Sequence, residues 1–344
     1  MTLPAIGNPI SFDEIKKEFG APAENRFGNY RISQTVGQLN NLPLDTGIPQ
    51  SGIVSFSNFY SKKQNIVVDL FSNPQNIDSR VDAKSKYTSN EVVVIGPGDR
   101  PEDTGGKKII VHVNKTIQSI YSGGTDNKKC ALRTGNWDTG TDFTINVGTN
   151  GYISGTGGNG GTGGSAGNNN GGNGTAGTSA IGINDNNLSV TVINNGTIRA
   201  GYGGGGGGAG RGENRSTGKK SSVFATSSGG GGGGGAGIPT AERGGTAPQN
   251  ASYGSNGDDG DDGDATEGGD GGTGGSSAGA GGHGGDTANP SANATKAPNG
   301  SPSSGASGGI GGDNGYAILR LSGAPAPSMS GNSIIGRSAV GTPT

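Results

Sequence analysis

Apolar positions change their spacing twice along the chain. Near the start, Phe12, Ile15 and Phe19 recur at helical intervals. Ser11 stands three residues before Glu14, a capping box, and Gly20 supplies a stop. The spacing predicts a helix over 12–19, too short to persist undocked. Residues 51–60, SGIVSFSNFY, are dense in aromatics and read as a compact turn or single helical turn. It would pack Phe56, Phe59 and Tyr60 against the helix. Residues 1–62 thus form a small helical module, and Phe12, Ile15, Phe19, Phe56, Phe59 and Tyr60 are either its own mini-core or its docking anchor for a partner protein.

From 63 to 150 the helical period gives way to β-branched runs at 66–70, 91–95, 108–113, 117–121 and 143–147. Gly, Pro, Asn and Asp clusters separate them, as in a β-sandwich-like domain. Trp137 and Cys130 belong to its expected core.

Beyond residue 150 the alternation lapses and glycine takes over, with 61 of the 76 glycines in this part of the chain. The 16 prolines are too few for a collagen helix, and apolar side chains are too few for a conventional core over 151–344. Such composition defaults to disorder unless the glycines keep a register, and they do. Gly254, Gly257, Gly260, Gly263, Gly269, Gly272, Gly275, Gly281 and Gly284 share one three-residue frame. Gly155, Gly158, Gly161, Gly164 and Gly167 hold another, which Gly171, Gly174 and Gly177 resume one residue out of phase. Gly305, Gly308 and Gly311 give a third stretch, and the runs 203–208 and 229–235 satisfy any frame. A period of three is that of a polyproline-II-like helix rising about 3.1 Å per residue. Without Cβ atoms, such helices approach closely and pair their backbone groups laterally. The fold expected is therefore mainly β and irregular, closing in a bundle of glycine helices, with 323–344 as a tail. Asn150-Gly151, Asn195-Gly196 and Asn314-Gly315 suit tight turns, so hairpins are expected between the glycine segments.

Charge and chemistry narrow the function. Net charge is −2, which gives no electrostatic case for nucleic acid. No apolar run is long enough for a spanning helix, and the N-terminal residues lack a signal-peptide pattern, so synthesis and folding in a cytosol are expected. One cysteine excludes an internal disulfide framework, and His112 and His283 are scant material for a metal or triad. The aspartates of 258–264 lack EF-hand spacing and read as a solvated acidic edge at the outward positions of the glycine period. G-x-G-x-x-G matches stand in no strand–helix unit, and neither Gly106-Lys107 nor Gly218-Lys219 completes a phosphate loop. Asp138 and Asp142 lie near Trp137, but spacing alone does not make a sugar cleft of them. No enzyme activity, cofactor or metal is expected.

The opening residues 10–20 together with 48–60 resemble the N-terminal module of structural proteins of T4-type tailed phages, cyanophages included. The closing there is Phe-Tyr-Gly-Lys; here Ser61 stands in the glycine's place. Asn194-Asn195-Gly196-Thr197-Ile198 leading into polyglycine is similar to glycine-rich tail-fibre proteins of tailed phages. That resemblance implies a virion tail protein, with fibre or baseplate proteins as partners through 1–62. It further implies a polyglycine-II sandwich whose intervening loops bind a host surface receptor. The interruptions are 211–228, 238–243 with 247–253, and 286–302. Aromatics and arginines make binding hot spots, so Tyr202, Arg211, Arg215, Lys219, Phe224, Arg243 and Tyr253 are the receptor-binding candidates, against the alternative that they only cap the bundle. A purely structural tail component, and more remotely an ice-binding or matrix protein, remain open at this level.

Overall fold

The computed structural model describes residues 3–19, 26–27, 52–62, 65–69, 81–88, 93–94, 104–119, 127–218, 221–237, 243–287, 300–303 and 305–343. The first element is the expected helix α1 (Phe12–Phe19). Its capping box is formed: the Ser11 amide donates to Glu14 Oε2 at 2.7 Å and the Glu14 amide to Ser11 Oγ at 3.1 Å. These bonds hold the Glu14 carboxyl below the usual carboxylate range. Phe56–Phe59 make one 3-10 turn against α1, with Phe19 and Phe59 rings edge-to-face at 5.8 Å. Phe27 sits among them, 5.1 Å from Phe12, 4.7 Å from Phe56 and 5.6 Å from Phe59. Ile15, Phe19 and Phe59 are fully buried.

The remaining chain winds in circuits. The first carries β1 (Asn65–Asp69), β2 (Val81–Asp82), α2 (Ala83–Thr88) and β3 (Val93–Val94). The second carries β4 (Lys108–Val113), β5 (Thr116–Gln118) and β6 (Cys130–Arg133); the third, β7 (Asp142–Val147), β8 (Tyr152–Ser154) and β9 (Ser179–Ile183). The fourth holds β10 (Ser189–Asn194) and β11 (Thr197–Arg199). After a long excursion containing the hairpin β12 (Arg211–Gly218) and β13 (Ser221–Ser227), it resumes at β14 (Ile318–Arg320). The last holds β15 (Ser328–Gly331) and β16 (Ser338–Val340).

Corresponding strands of successive circuits pair, giving sheets ordered β15-β10-β7-β4-β1-β3, β11-β8-β5 and β16-β14-β9-β6-β2. All of these pairs are parallel except β1 with β3. The result is a three-faced coil, which corrects the expected β-sandwich-like domain over 63–150. Strands of 63–150 pair as far away as Ser189–Asn194, and the same sheets continue to Ser338–Val340. The β-branched runs were read correctly as strands, but a run's composition does not say whether its partner is parallel or lies a whole circuit away, as Val190 does for Phe143, 47 residues on.

Equivalent residues stack into apolar columns inside the coil. Ile109, Phe143 and Val190 form one, Val111, Ile145 and Val192 a second, and Ile117, Ile153 and Ile198 a third. All are essentially inaccessible and belong to one core. The second column ends at Met329, which is 43% exposed, so the last circuit leaves the core open. There Ile318, Pro327, Met329, Ile334 and Val340 line a groove of about 310 Å³.

Asn150-Gly151 and Asn195-Gly196 are corners of this coil and Asn314-Gly315 lies in the last glycine segment, its Gly315 amide donating to Gly201 O, which corrects the hairpins expected at these pairs. Neither Gly151, Gly196 nor Gly315 takes a positive φ. Instead the corners stack, the Gly148 amide donating to Val113 O, Asn195 to Val147 O and Asn332 to Asn194 O. Glu18 of α1 and Lys107, just before β4, pair at 3.0 Å with both side chains buried, fastening the N-terminal module to the coil.

Candidate functional site

Glycine segments leave the coil at two places, between β8 and β9 and between β11 and β14. The segment 155–165 runs out and 169–178 returns. Segments 201–210 and 228–237 flank the hairpin β12–β13, and 243–250, 254–264, 267–275, 278–286, 300–303 and 307–317 complete the array. Bonds repeat every third residue: the amides of Gly155, Gly158, Gly161 and Gly164 donate to the carbonyls of Arg199, Tyr202, Gly205 and Gly208. Within 201–210, Gly201, Gly204, Gly207 and Gly210 donate to the returning 169–178 segment, while Tyr202, Gly205 and Gly208 donate to 228–237. Consecutive residues therefore face different neighbours, and from Gly203 to Gly208 no side chain fits on any side. A Cβ on Gly205, Gly206 or Gly207 would meet the carbonyl oxygen of Gly282, Gly309 or Thr162 at 1.9, 2.0 and 1.9 Å.

At the end of the array away from the coil, five connections gather: 165–169, the hairpin 211–227, 250–254, 275–278 and 303–306. They are stitched together by asparagines. Asn168 Oδ1 accepts from the Gly212 amide at 2.8 Å and Asn250 Oδ1 from the Ala166 amide at 3.0 Å. Arg211 pairs with Glu213 at 2.6 Å and donates to Ser277 O at 3.4 Å. Among the described residues, four non-glycines have positive φ, and three of them, Asn168, Tyr253 and Ser277, lie here. Outside Asn and Asp, that conformation costs roughly 1–2 kcal/mol, and such strain concentrates where surfaces do work. Phe224 is 55% and Tyr253 75% exposed, two large rings presented from rigid connections.

The candidates from the sequence separate into three groups. Arg211, Phe224 and Tyr253 come together at this end, and Arg215 stands on the same hairpin opposite Val223. Arg243 is exposed but sits nearer the coil, its carbonyl accepting from Gly160. Tyr202 lies at the opposite end, only 1% exposed, and burial raises its hydroxyl pKa. It packs beside Arg199, which is 2% exposed and donates to Tyr152 Oη at 3.1 Å. Lys219, and residues 238–242 and 288–299 within the other interruptions, fall outside the described residues. Asn168, Asn250 and Ser277 were not named from the sequence. The slip of glycine phase between Gly167 and Gly171 is the trace that the first of these turns left there.

The acidic edge is as expected: Asp258, Asp259, Asp261, Asp262 and Asp264 are exposed. Several accept backbone amides, Asp259 from Ala247 and Asp262 from Gly244. Asp264 caps its turn through the Glu267 and Thr266 amides, which lower its pKa. Among the described residues no His, Cys, Asp and Glu group is arranged to hold a metal ion.

One solved structure aligns along 97% of this chain and 100% of its own: the crystal structure of the gp37-gp38 adhesin tip complex of the bacteriophage S16 long tail fiber. Its identity is 17% and its TM-score 0.37. No curated protein matches the chain. The family model for the phage tail fibre adhesin Gp38 matches residues 82–339, three quarters of the sequence and nearly all of the coil and glycine array. The chain belongs to the phage tail fibre adhesin Gp38 family.

Proposed function

We propose that this adhesin binds a host surface receptor through the connections at the free end of its glycine array. The carrying observation is the gathering of Phe224, Tyr253, Arg211 and three left-handed non-glycines on one set of bonded turns. Exposed rings on a rigid base lose little freedom on binding, so contact area converts efficiently into affinity. The array itself reads as a polyglycine-II bundle, supported by the three-residue ladder and the carbonyl oxygens that occupy every Cβ position of Gly205, Gly206 and Gly207. It serves as a stiff spacer between the turns and the coil.

The coil and the N-terminal module are the virion side of the molecule. Two apolar surfaces remain there for other tail proteins: the open last circuit with Met329 and Val340, and the module's Ile6 and Ile53, 84% and 89% exposed. Tyr202, buried where the array meets the coil, stabilises that junction in this reading. The test is competition of the purified chain with virions for host cells. Phe224→Ala with Tyr253→Ala should weaken it at least tenfold without lowering the melting temperature. Unchanged competition by the double variant would leave a purely structural role.

A further inference from the structure

The base of the hairpin β12–β13 has one covered face and one open one. Its register pairs Arg211 with Ser227, Gly212 with Thr226, Glu213 with Ala225 and Asn214 with Phe224. Paired residues share a face and faces alternate along a strand, so Arg211, Glu213, Ala225 and Ser227 lie on one side. There Ala225 and Ser227 are buried and Arg211 pairs with Glu213. Gly212, Asn214, Phe224 and Thr226 lie on the other side, where the Phe224 ring is more than half exposed.

Gly212 is a glycine that its own backbone does not require. It stands inside a strand without a positive φ, where glycine is ordinarily unfavourable. The ring is what excludes a side chain. A Cβ at this position would lie 2.6 Å from Phe224 Cζ, 3.0 Å from Phe224 Cε1 and 3.2 Å from Gly167 Cα. From its place opposite Asn214 the ring therefore leans diagonally across the ladder, a reach that aromatic side chains span. Its tip fills the place of a side chain at 212, beside the 165–169 turn. The backbone around this notch is pinned, the Gly212 amide donating to Asn168 Oδ1 at 2.8 Å and the Gly167 amide to Arg211 O at 3.2 Å. Gly167 itself takes φ +97°, which glycine adopts without strain.

Resting on the receptor reading above, we propose that Gly212 is a positioning residue for receptor binding: its missing side chain is the notch that sets the tilt of the Phe224 ring. Ordinary contact begins near 3.4 Å, so a methyl at 212 displaces the ring tip by about 0.8 Å or more. The tip is the free end of a side chain and yields, whereas the pinned backbone does not. Alanine also suits a strand better than glycine. The change therefore moves the anchor while leaving the hairpin as stable as before. A ring seated this way meets a receptor in one orientation, so the residue at 212 governs specificity without touching the receptor.

The full-length chain and its variants are titrated onto host outer-membrane vesicles. In parallel, a chain labelled in its phenylalanine rings is followed by NMR through the contact between the Phe224 Cζ proton and the Cα protons of position 212. Gly212→Ala should bind at least tenfold more weakly and lose that contact, while its melting temperature holds and the hairpin amides exchange as slowly as in the parent. Phe224→Ala should bind as weakly, and the two changes together should bind no more weakly than either alone. Parent-like binding by Gly212→Ala, or a ring that keeps its contact, overturns the positioning role. So does a loss of binding that comes with faster exchange across the hairpin. Parent-like binding by Phe224→Ala overturns instead the receptor reading of the ring itself, and the contact in the parent chain still reports whether the notch is filled.

Discussion

Gly205, Gly206 and Gly207 test whether the array is packed on every side or only on one edge. In a collagen-type arrangement a single glycine in three is obligatory, so two of these positions would tolerate alanine. Here each faces a different neighbour, Gly282, Gly309 and Thr162, with a carbonyl oxygen at 1.9–2.0 Å from the Cβ site. Ordinary contact begins near 3.4 Å, so each methyl needs about 1.4 Å of movement from a neighbouring backbone. Overpacking of that kind costs about 1–3 kcal/mol. Moving the backbone also strains bonds worth roughly 0.5–1.5 kcal/mol each, such as Gly207 to Gly172 O and Gly309 to Gly207 O. The lower entropy of the unfolded alanine chain returns only about 0.5–1 kcal/mol. The expected loss is about 3 kcal/mol or more at all three positions. Asp261→Ala, at an exposed outward position, should stay within about 0.5 kcal/mol. Denaturant unfolding followed by far-UV circular dichroism and by hydrogen exchange of the array reads the difference. Tolerance of alanine at any two of the three would refute packing on all sides.

Three further outcomes follow from the coil and its N-terminal module. Ser61 has φ +59° where the resembling modules close with glycine, so Ser61→Gly should stabilise the module by about 0.5–1 kcal/mol, seen as a higher melting temperature. Lys107→Ala strands the buried Glu18 carboxylate and should cost about 3–5 kcal/mol; proteolysis at 12–19 should accelerate, and Glu18→Gln with Lys107→Met should restore most of the protection. The Asp138 pKa is lowered by hydrogen bonds from the Thr104 hydroxyl and amide, with Lys84 nearby. A depressed folded pKa contributes stability above the unfolded value near 3.9, lost as pH falls through the folded one. Asp138→Asn should therefore flatten the acid limb of a pH titration of stability below about pH 4, and an unchanged limb would place the acid sensitivity elsewhere.

Local signals survived into the structure where the interaction that carries them is local. The helix 12–19 appears with its capping box because Ser11 and Glu14 satisfy each other across three residues. The outward aspartates of 258–264 are exposed because the glycine frame left them no other direction. The sheet topology was hidden, since parallel pairing joins strands whose separation is set by whatever is inserted between them; β9 and β14 are adjacent although the array intervenes. Phe27 at the centre of the aromatic cluster was hidden too, as it falls outside both periodic stretches. Among the binding candidates, residue type alone did not distinguish Tyr202, which roofs Arg199, from Tyr253, which stands in solvent. The distinction is one of position along a glycine segment, and that depends on where the segment meets the coil.

That meeting point also explains how glycine segments with no side chains to specify register nonetheless keep one. In the β11-β8-β5 sheet, Ile153 pairs with Ile198. The same alignment runs on into the array without a slip: Gly155 bonds Arg199, Gly158 bonds Tyr202 and Gly167 bonds Arg211, each pair 44 residues apart. On the β9 and β14 side, Gly171 bonds Ser307, Gly177 bonds Asp313 and Ala180 bonds Tyr316, each pair 136 apart. Asn170 and Asn173 lock the same alignment with their side chains on Ser307 and Ile310. A glycine ladder alone has many equivalent slips by one period, because every rung resembles the next. Stacked isoleucines in the coil remove that degeneracy at one end, and asparagine bonds at turns such as Asn168 and Asn250 remove it at the other. The apolar coil thus selects one register, the glycines propagate it, and the turns that carry Phe224 and Tyr253 are held at a fixed rung.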